Sequence, residues 1–277
     1  MIIRFATEKD TNELKQLWLD VFCDPQNFVD WNFKNNYFPE NVVLAEENGE
    51  IAAALHIIEY EMVFLKKRLK AAYISAVATK PKHRKKGFAS AVLNAAANHC
   101  KNSGFDLCFL MPDINGFYEK FGYFTVLNKN EKILSYKYFK KSKNFIDDLS
   151  FNDFFEIYSS VSKNKMLHIK RSKKNSDMIF DDLKSNTGAK TKIYKNKGYI
   201  FFDEEENFIR VYELCAKNKV AKNKLLSFAA SYKKDILFEN RPVMIKILSE
   251  KPILKKLKKS AEQMPLSKKD VFINLVL

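Results

Sequence analysis

Residues 70–111 contain an apolar segment, a basic segment, an Ala-rich segment and a second apolar segment, in that order. The two apolar segments, KAAYISAVAT (70–79) and FDLCFLM (105–111), predict buried strands. Between them, ASAVLNAAANHCKNSG (89–104) predicts a helix that ends at Gly104. Because a buried strand leads through a loop into the start of a helix, the fold class predicted for this part of the chain is α/β.

The loop before this helix carries an unusual density of positive charge. In TKPKHRKKGFAS (79–90), five Lys and Arg residues lie within seven positions. The start of a helix offers unpaired backbone N–H groups and the positive end of the helix dipole, so the loop predicts an anion site. Gly87 allows a positive φ, and Ala89 leaves room for a phosphate. The alternative is a basic turn that holds no ligand.

Two common phosphate-binding motifs are excluded. The sequence contains no GxxxxGK followed by Ser or Thr, so it has no Walker loop. It also lacks GxGxxG, the dinucleotide fingerprint, because the loop contains a single glycine. If the loop binds an anion, it therefore does so through a motif other than these two.

The length of 277 residues is sufficient for two domains. The order strand hairpin, strand, helix, strand occurs twice, which predicts domains at residues 1–128 and 129–277. The predicted elements of the first domain are a strand (2–6), a helix capped by Thr7 (7–22), a short aromatic helix and loop (28–38), a hairpin (41–64), and a short helix leading into a strand (115–126). Those of the second are a helix-rich stretch (145–164), a hairpin and strand (191–215), a helix (220–233) and strands (241–249 and 270–276).

The net charge of +15 is unevenly distributed. Residues 1–128 carry 15 basic and 15 acidic residues, so the whole excess lies in residues 129–277. The basic residues there are spread among other residue types, which favours a general solubility bias over a nucleic-acid interface. We therefore do not expect a nucleic-acid partner, although the alternative stays open.

The sequence predicts a cytoplasmic protein without a membrane segment. The N-terminal residues MIIRFATEKD turn polar too early for a signal peptide, and no apolar run approaches the ~20 residues of a bilayer span. The four cysteines show no CxxC spacing or pairing with histidines, so we expect reduced thiols and no metal site.

The loop resembles the pyrophosphate-binding motif of the GNAT (Gcn5-related N-acetyltransferase) superfamily. That motif is Gln or Arg, two residues, Gly, one residue, then Gly or Ala, and RKKGFA (84–89) fits every defined position. The resemblance implies acetyl-CoA as the cofactor. It implies that the strand before the loop pairs with the pantetheine arm of the cofactor and that the loop holds the pyrophosphate. It also implies that the segment after the next strand contacts the cofactor. The implied cofactor-binding residues are Val77, Ala78, Thr79, Arg84, Lys85, Lys86, Gly87, Phe88, Ala89, Ser90, Asp113, Ile114 and Asn115.

A second motif is similar to the same family. In NGFYEKFGY (115–123), a tyrosine precedes a Phe-Gly-Tyr turn by the spacing that the family uses. The resemblance implies that Tyr118 is the general acid that protonates the leaving thiolate. An ordinary phenol pKa of about 10 suits a proton donor at neutral pH. The alternative is that Tyr118 and Phe117 are core aromatics.

The whole chain is similar to the enhanced intracellular survival (Eis) type of this superfamily, which has tandem GNAT domains. The expected fold is therefore α/β (α+β), with two GNAT-like domains, each a mixed, mostly antiparallel twisted sheet flanked by helices. In the second domain, AKNKVAKNKLL (216–226) contains no glycine where a pyrophosphate loop would lie, so we expect it to bind no coenzyme A. Eis-type proteins end in a sterol-carrier-like domain whose terminal carboxylate acts as base. This chain has no obvious counterpart, and Leu277 is only a weak substitute.

The base and the acceptor pocket are less well defined by the sequence. Acetyl transfer requires a neutral amine, so a side chain or water must accept a proton. The candidate bases are on the predicted strand next to the cofactor strand: His56, Glu59 and Glu61. The alternation of a strand places the two glutamates on one face and His56 on the other. Aromatic residues with an acid suit a cationic amine, and the candidates are Asp30, Trp31, Phe33 and Tyr37. The alternatives are a structural histidine and a core-packing helix.

These patterns predict an N-acetyltransferase that transfers acetyl directly to an amine of a small molecule or of a lysine side chain. Direct transfer is expected because no cysteine is placed as a nucleophile, and the Val77 N–H is the candidate donor to the oxyanion. Two other functions stay open: a non-catalytic coenzyme A-binding or regulatory protein, and a nucleic-acid-associated protein. A homo-oligomer is also possible from the sequence.

Overall fold

The computed structural model describes residues 1–114, 116–140, 147–263, 266 and 271–272. The chain forms two compact units. The first comprises Met1–Met62, Lys67–Val126 and Val243–Pro265, and the second comprises Val63–Lys66, Leu127–Pro242 and Leu266–Leu277. The predicted division between residues 128 and 129 stays a prediction. The structure adds that a segment far beyond this division groups with the first unit.

Strands and helices alternate along the chain, as the sequence patterns predict. Up to residue 128 the elements are β1 (Ile2–Phe5), α1 (Thr11–Phe22), α2 (Gln26–Asn35), β2 (Val42–Glu47), β3 (Glu50–Phe64), β4 (Lys67–Thr79), α3 (Phe88–Asn102), β5 (Leu107–Leu110) and β6 (Phe124–Leu127). Beyond it they are β7 (Asn130–Leu134), α4 (Phe151–Ser162), β8 (Leu167–Lys170), α5 (Lys173–Ser185), β9 (Lys190–Ile193), β10 (Gly198–Glu204), β11 (Phe208–Ala216), α6 (Lys219–Ala229), β12 (Asp235–Asn240), β13 (Val243–Ile247), α7 (Pro252–Gln263) and β14 (Val271–Phe272).

The sheet of the first unit has the strand order β1-β2-β3-β4-β5-β13-β6. The β1–β2, β2–β3 and β5–β13 pairs are antiparallel, whereas β4 and β5 are parallel. The parallel pair needs a crossover connection, and α3 supplies it. The sheet is therefore mixed and mostly antiparallel.

Helices cover both faces of this sheet. On one face, α3 buries an apolar stripe that includes Phe88, Val92 and Ala96 against strands β2 to β5. On the other face, α1 and α2 bury residues such as Leu17, Trp18 and Val29. Burial of apolar side chains on both faces explains why residues 71–79 of β4 and the whole of β5 are mostly apolar in sequence.

The second unit repeats this arrangement with a separate sheet of order β7-β12-β11-β10-β9. Its β11–β12 pair is parallel and is connected by α6, and its other pairs are antiparallel. The helix α6 buries Ala221, Leu225 and Leu226 against β10 and β11. Two mixed sheets flanked by helices confirm the predicted fold class.

Four elements have no counterpart among the sequence predictions: β8, α5, β12 and α7. In α7, for example, the buried residues are Leu254, Leu257 and Ala261, and lysines fill most of the positions between them. Such a polar segment gives a weak apolar signal. No helix in the described part of the chain is both long and apolar enough to cross a membrane.

The buried carboxylate of Asp106 binds the turn after β13 to the other strands of the first unit. Asp106 is 3% exposed and precedes β5. It accepts hydrogen bonds from the Lys70 backbone N–H (3.0 Å), the Ser249 hydroxyl (3.0 Å) and the Lys251 ammonium (2.8 Å). Its own carbonyl accepts the backbone N–H of Leu248 at 2.9 Å. Asp106 therefore connects β4, β5 and the segment that follows β13.

We expect Asp106→Ala to lower the free energy of unfolding by about 2–4 kcal/mol, because three donors lose a buried charged acceptor. Urea unfolding followed by circular dichroism measures the change. Glu250→Ala is the matched control, because this carboxylate is 97% exposed and lies between Ser249 and Lys251. An equal effect of the two substitutions would contradict the role given to Asp106.

Candidate active site

The pairing of the parallel strands β4 and β5 covers only part of β4, because β5 ends at Leu110. Their pairing joins Ala71 to Leu107 and ends with Tyr73 opposite Phe109, although β4 continues to Thr79. On its other side β4 neighbours β3, and the Lys80 N–H donates to the Ala52 carbonyl at 2.9 Å. The last six residues of β4 therefore run beside an opening on the β5 side, where backbone groups can meet a ligand.

A bulge redirects β4 at this opening. Ile74 and Val77 pack into the core beneath α3, whereas Ala76 and Ala78 pack into the core beneath α1 and α2. The alternation of side chains thus shifts by one residue between positions 74 and 77. Ala76 has a φ of +49°, a strained value for a residue with a Cβ. Bulges of this kind occur often beside functional sites, where they re-aim backbone and side chains.

The loop after β4 ends in a backbone shaped to hold an anion. Lys85 has a φ of +63° and Gly87 a φ of +89°, and α3 begins directly after Gly87. The first helical hydrogen bond runs from Ala91 N–H to Gly87 carbonyl, so the N–H groups of residues 88–90 have no acceptor within the helix. Left-handed residues followed by a free helix start form a concave set of N–H donors. We call residues 84–90 the anion loop.

The positive charges of the segment divide into two groups. Lys80 and Lys82 form ion pairs with Glu50 at 2.8 and 2.5 Å. Arg84, Lys85 and Lys86 are exposed, and no carboxylate of the described residues lies within ion-pair distance of them. Arg84 donates from Nε to the Thr79 carbonyl at 3.3 Å, and its other N–H groups, with the ammonium groups of Lys85 and Lys86, are available to an anion at the start of α3.

Tyr118 lies in the same core as the anion loop and the bulged strand. Its ring packs against Phe117 and Tyr123, with ring centroids 5.0 and 6.0 Å away, in the core that also contains Phe88 and Val77. The predicted short helix is a 3-10 turn over residues 119–121. Burial raises the pKa of Tyr118 to about 12, with smaller contributions from the Asp113 charge and from Tyr73. The phenol therefore stays protonated at neutral pH.

The remaining implied cofactor residues flank this site in sequence. Val77 and Thr79 are half-buried at the bulged end of β4, and Ala78 is buried. Asp113 and Ile114 are exposed after β5, and the Ile114 side chain is 64% exposed. Asn115 and the C-terminal Leu277 lie outside the described residues.

The candidate bases differ in their surroundings. The Glu59 side chain is 63% exposed and forms an ion pair with Lys70 at 3.5 Å. The Glu61 side chain is 36% exposed and pairs with Arg68 at 3.5 Å. His56 is on the other face of β3, where it is 7% exposed. The strand alternation of these three residues follows the sequence pattern.

His56 is enclosed by aromatic rings. The centroids of Trp18, Phe33 and Tyr37 lie 5.5, 5.8 and 6.1 Å from the imidazole centroid. Because burial disfavours the charged form, it lowers the pKa of His56 to about 4. A neutral imidazole inside an aromatic cluster has the surroundings of a structural core residue, which is the alternative that the sequence left open.

Three of the four candidate acceptor residues are on α2, and the fourth, Tyr37, follows it; they face different surroundings. Asp30 is exposed and pairs with Lys15 at 2.7 Å, and hydrogen bonds from Lys15 and Gln26 lower its pKa. Trp31 is half-buried and stacks on Phe28. Phe33 is 6% exposed, so its ring belongs to the aromatic core around His56. Exposure therefore favours Asp30 and Trp31 over Phe33 as contacts for a substrate.

The second unit has a different junction at the matching place. Its β11 ends at Ala216 and α6 begins at Lys219, so two residues replace the eight between β4 and α3. The Asn218 side chain accepts the Ala221 N–H at 2.9 Å and caps the helix. This junction has no glycine, and one donor of the first helical turn is already occupied.

Two contributors to the site have no recognisable signal in the sequence. One is the bulge at Ala76, because an alanine in an apolar strand carries no signal of a positive φ. The other is Glu50, for which the sequence predicts only a place within the hairpin of residues 41–64. Its contacts with the basic segment join residues about 30 positions apart, and no local pattern reports such a pairing.

We expect His56 to make the stability depend on pH. The unfolded chain binds a proton at this residue near pH 6.5, but the folded chain binds it only near pH 4. Stability is therefore full above pH 6.5 and falls by up to about 3 kcal/mol towards pH 4. Unfolding in urea at a series of pH values should show a shallower fall in His56→Leu, whereas the half-buried His99→Leu control should match the wild type. Equal slopes in all three would refute this role.

Comparison with known proteins relates this geometry to a family. Residues 2–126 match the family model described as acetyltransferase (GNAT) domain. A search of the curated proteins finds no match.

Solved structures share the fold across both units. A GCN5-related N-acetyltransferase from Anabaena variabilis matches with a TM-score of 0.78 and 15% identity, over 90% of this chain and 73% of that one. A conserved protein of unknown function from Enterococcus faecalis, a probable N-acyltransferase, matches with a TM-score of 0.74 and 15% identity, over 89% and 72%. Eis1 from Mycobacterium abscessus matches with a TM-score of 0.69 and 12% identity, over 90% and 74%. The chain therefore has the fold of these proteins, and its residues 2–126 match the family model of a GNAT acetyltransferase domain.

Proposed function

We propose that this protein is an acetyl-CoA-dependent N-acetyltransferase that acts on an amine of a small molecule or of a lysine side chain. One observation carries the proposal: β4 extends beyond its pairing with β5 directly before a loop whose free N–H groups and cations converge at the start of α3. A long ligand with a diphosphate at one end and an amide-bearing arm at the other fits these two features. Acetyl-CoA has this chemistry and supplies an acetyl thioester.

The roles of the cofactor-binding residues follow from their positions. Backbone groups of Val77 and Thr79 would bind the pantetheine arm, because they face the opening between the strands. The N–H groups of residues 84–90 would bind the diphosphate, with charge added by Arg84, Lys85 and Lys86. Asp113, Ile114 and Asn115 would border the same cofactor from the β5 side.

Tyr118 is the proposed general acid. Its raised pKa keeps the proton on the phenol throughout the neutral range, so the group is ready to donate to a developing thiolate. The Val77 N–H is the proposed donor to the oxyanion, since the bulge at Ala76 redirects the backbone at this point. No nucleophilic cysteine is proposed, because Cys100, Cys108 and Cys215 are buried, and the exposed Cys23 ends α1, far in sequence from the anion loop and from Tyr118.

The amine must lose a proton before it attacks. Of the three candidate bases, Glu59 has the most exposed carboxylate, which can accept this proton through water. His56 would need to open the aromatic cluster around it, although its low pKa leaves it unprotonated. We therefore favour Glu59 as the base, with Asp30 and Trp31 as contacts for a cationic acceptor.

The second unit has a supporting role in this proposal. Its short β11–α6 junction and the Asn218 cap leave little room for a diphosphate at the helix start. We therefore propose that one coenzyme A binds per chain, in the first unit.

Tyr118→Phe tests the assignment of the acid. We expect the maximal rate to fall by about 100-fold or more, the usual worth of a general acid, while the Kd for coenzyme A stays the same. The assay follows thiol release from acetyl-CoA with a panel of polyamines, aminoglycosides and lysine peptides. Tyr138→Phe is the control, because this tyrosine is 84% exposed.

The same assay separates the alternatives. Coenzyme A binding without turnover of any amine would indicate a non-catalytic coenzyme A-binding protein. An undiminished rate in Tyr118→Phe would show that another group is the acid. Absence of coenzyme A binding would refute the proposed function altogether.

Gly87→Ala tests the anion loop. A Cβ at Gly87 meets no atom within 4 Å, so the substitution adds strain at a φ of +89° without a clash. We expect it to raise the Kd for coenzyme A by about tenfold, the equivalent of one lost hydrogen bond to a charged group. Gly104→Ala is a matched control at the other end of α3, with a φ of +74° and equally open space. Calorimetry should show normal affinity in this control, and equal losses in both variants would contradict the assignment.

A further inference from the structure

The first half of the basic segment is bound to the β2–β3 hairpin through a single carboxylate. Glu50 Oε1 lies 2.8 Å from Lys80 Nζ, and Glu50 Oε2 lies 2.5 Å from Lys82 Nζ. The ring of His83 approaches the same carboxylate, with Nε2 3.6 Å from Oε2. Its other nitrogen, Nδ1, lies 3.3 Å from Glu47 Oε2. Three consecutive polar side chains of the segment are thus directed at the end of one hairpin.

Lys80 connects this hairpin to α1 as well. Its ammonium lies 2.9 Å from Glu13 Oε1, and that carboxylate also accepts the Ile51 N–H at 2.8 Å. The Lys80 side chain is only 14% exposed. Since it is largely withdrawn from solvent and paired with Glu13 and Glu50, it cannot also reach an anion at the start of α3.

These contacts reach the anion loop through His83. The imidazole is 8% exposed and lies edge-on to Phe88, with ring centroids 5.2 Å apart. Phe88 is the first residue of α3 and follows Gly87, the left-handed residue of the anion loop. The ring nitrogens of His83 form no hydrogen bond within the described part of the chain, so the imidazole connects Glu50 to the anion loop by packing alone: it lies beside Glu50 and contacts the residue whose N–H belongs to the anion site.

We propose that Glu50 is a positioning residue that holds the anion loop in its binding conformation, and that Lys80 and Lys82 serve this purpose instead of contacting the anion. The expected effect of Glu50 on the affinity for coenzyme A rests on the proposed function. Its effect on the conformation of the anion loop rests on the contacts alone.

The anion loop needs such support for two physical reasons. Five cations within seven residues repel one another, and the carboxylates of Glu50 and Glu13 offset the charges of two of them, Lys80 and Lys82. Lys85 also has a left-handed φ that costs free energy unless its surroundings impose it. A loop that is held before the ligand arrives loses less conformational entropy on binding.

A single exposed ion pair stabilises a structure little, but Glu50 differs from that case. It serves two cations at once and adjoins the buried His83. The hydrogen bonds from Lys80 and Lys82 lower the pKa of Glu50 to about 2, so its carboxylate is ionised throughout the range in which the protein would be assayed.

Glu50→Gln is the primary test, because it removes the charge and keeps the shape. In the free protein, we expect the backbone amides of residues 82–88 to exchange with deuterium about tenfold faster, as local opening becomes easier. We expect the Kd for coenzyme A, measured by calorimetry, to rise about tenfold, as when a charged contact is lost. The rate at saturating acetyl-CoA should change less than twofold, since Glu50 touches no reacting atom.

Glu250→Gln is the matched control, with the same change of charge on a carboxylate that is 97% exposed. It should leave exchange, affinity and rate unchanged. Unchanged exchange and affinity in Glu50→Gln would overturn the proposal. A fall in saturated rate without a change in affinity would also overturn it, because Glu50 would then act on the reaction itself.

A second variant separates positioning from direct anion contact. Lys82→Met should weaken coenzyme A binding in the wild type but have little further effect in Glu50→Gln. Lys86→Met should weaken binding by the same factor in both backgrounds, because its ammonium meets the anion directly. Equal losses from Lys82→Met in both backgrounds would show that Lys82 contacts the anion, and would refute its positioning role.

These measurements also separate the two proposals. If the wild type binds no coenzyme A, the proposed function fails, and the exchange rates of residues 82–88 still decide the role of Glu50. If the wild type binds coenzyme A but Glu50→Gln behaves like Glu250→Gln, only the role of Glu50 fails.

Discussion

The hydrogen-bonded pairing of the parallel strands β4 and β5 ends with Tyr73 opposite Phe109. Beyond this point β4 continues to Thr79 without β5 beside it. Backbone groups that face the opening must be satisfied by water or by a ligand, because a buried unpaired amide is costly. The bulge at Ala76 lies in this stretch, and the anion loop begins a few residues later. The position of the candidate site therefore follows from the point at which one strand pair ends.

The first sheet depends on a strand from a distant part of the chain. β13 pairs with β5 and occupies the place between β5 and β6, so the first unit is completed more than 100 residues after β6. Asp106 holds the following turn in place through Ser249 and Lys251. The family match over residues 2–126 ends before this strand. A fragment limited to that match would lack the strand that covers the β5 edge.

The two units share an arrangement of strands but differ at the junction between a parallel strand and the helix that follows it. Each sheet has a parallel pair joined by a helix, but only the first unit has an eight-residue loop with left-handed backbone at this junction. The excess of basic residues does not coincide with this loop, because it lies in the second half of the sequence. The proposed binding site is therefore defined by local geometry at a helix start and not by net charge.

The sequence by itself determined the fold class, most of the helices and strands, and the location of the basic loop, because apolar periodicity and glycine positions are local signals. It also indicated Tyr118 through the spacing of a short motif. Only the tertiary structure decided that Val243–Ile247 joins the first sheet, that Ala76 forms a bulge, and that Glu50 binds Lys80. Strand insertion, backbone strain and ion pairing bring together residues that are distant in sequence, and no local pattern encodes which of them will meet.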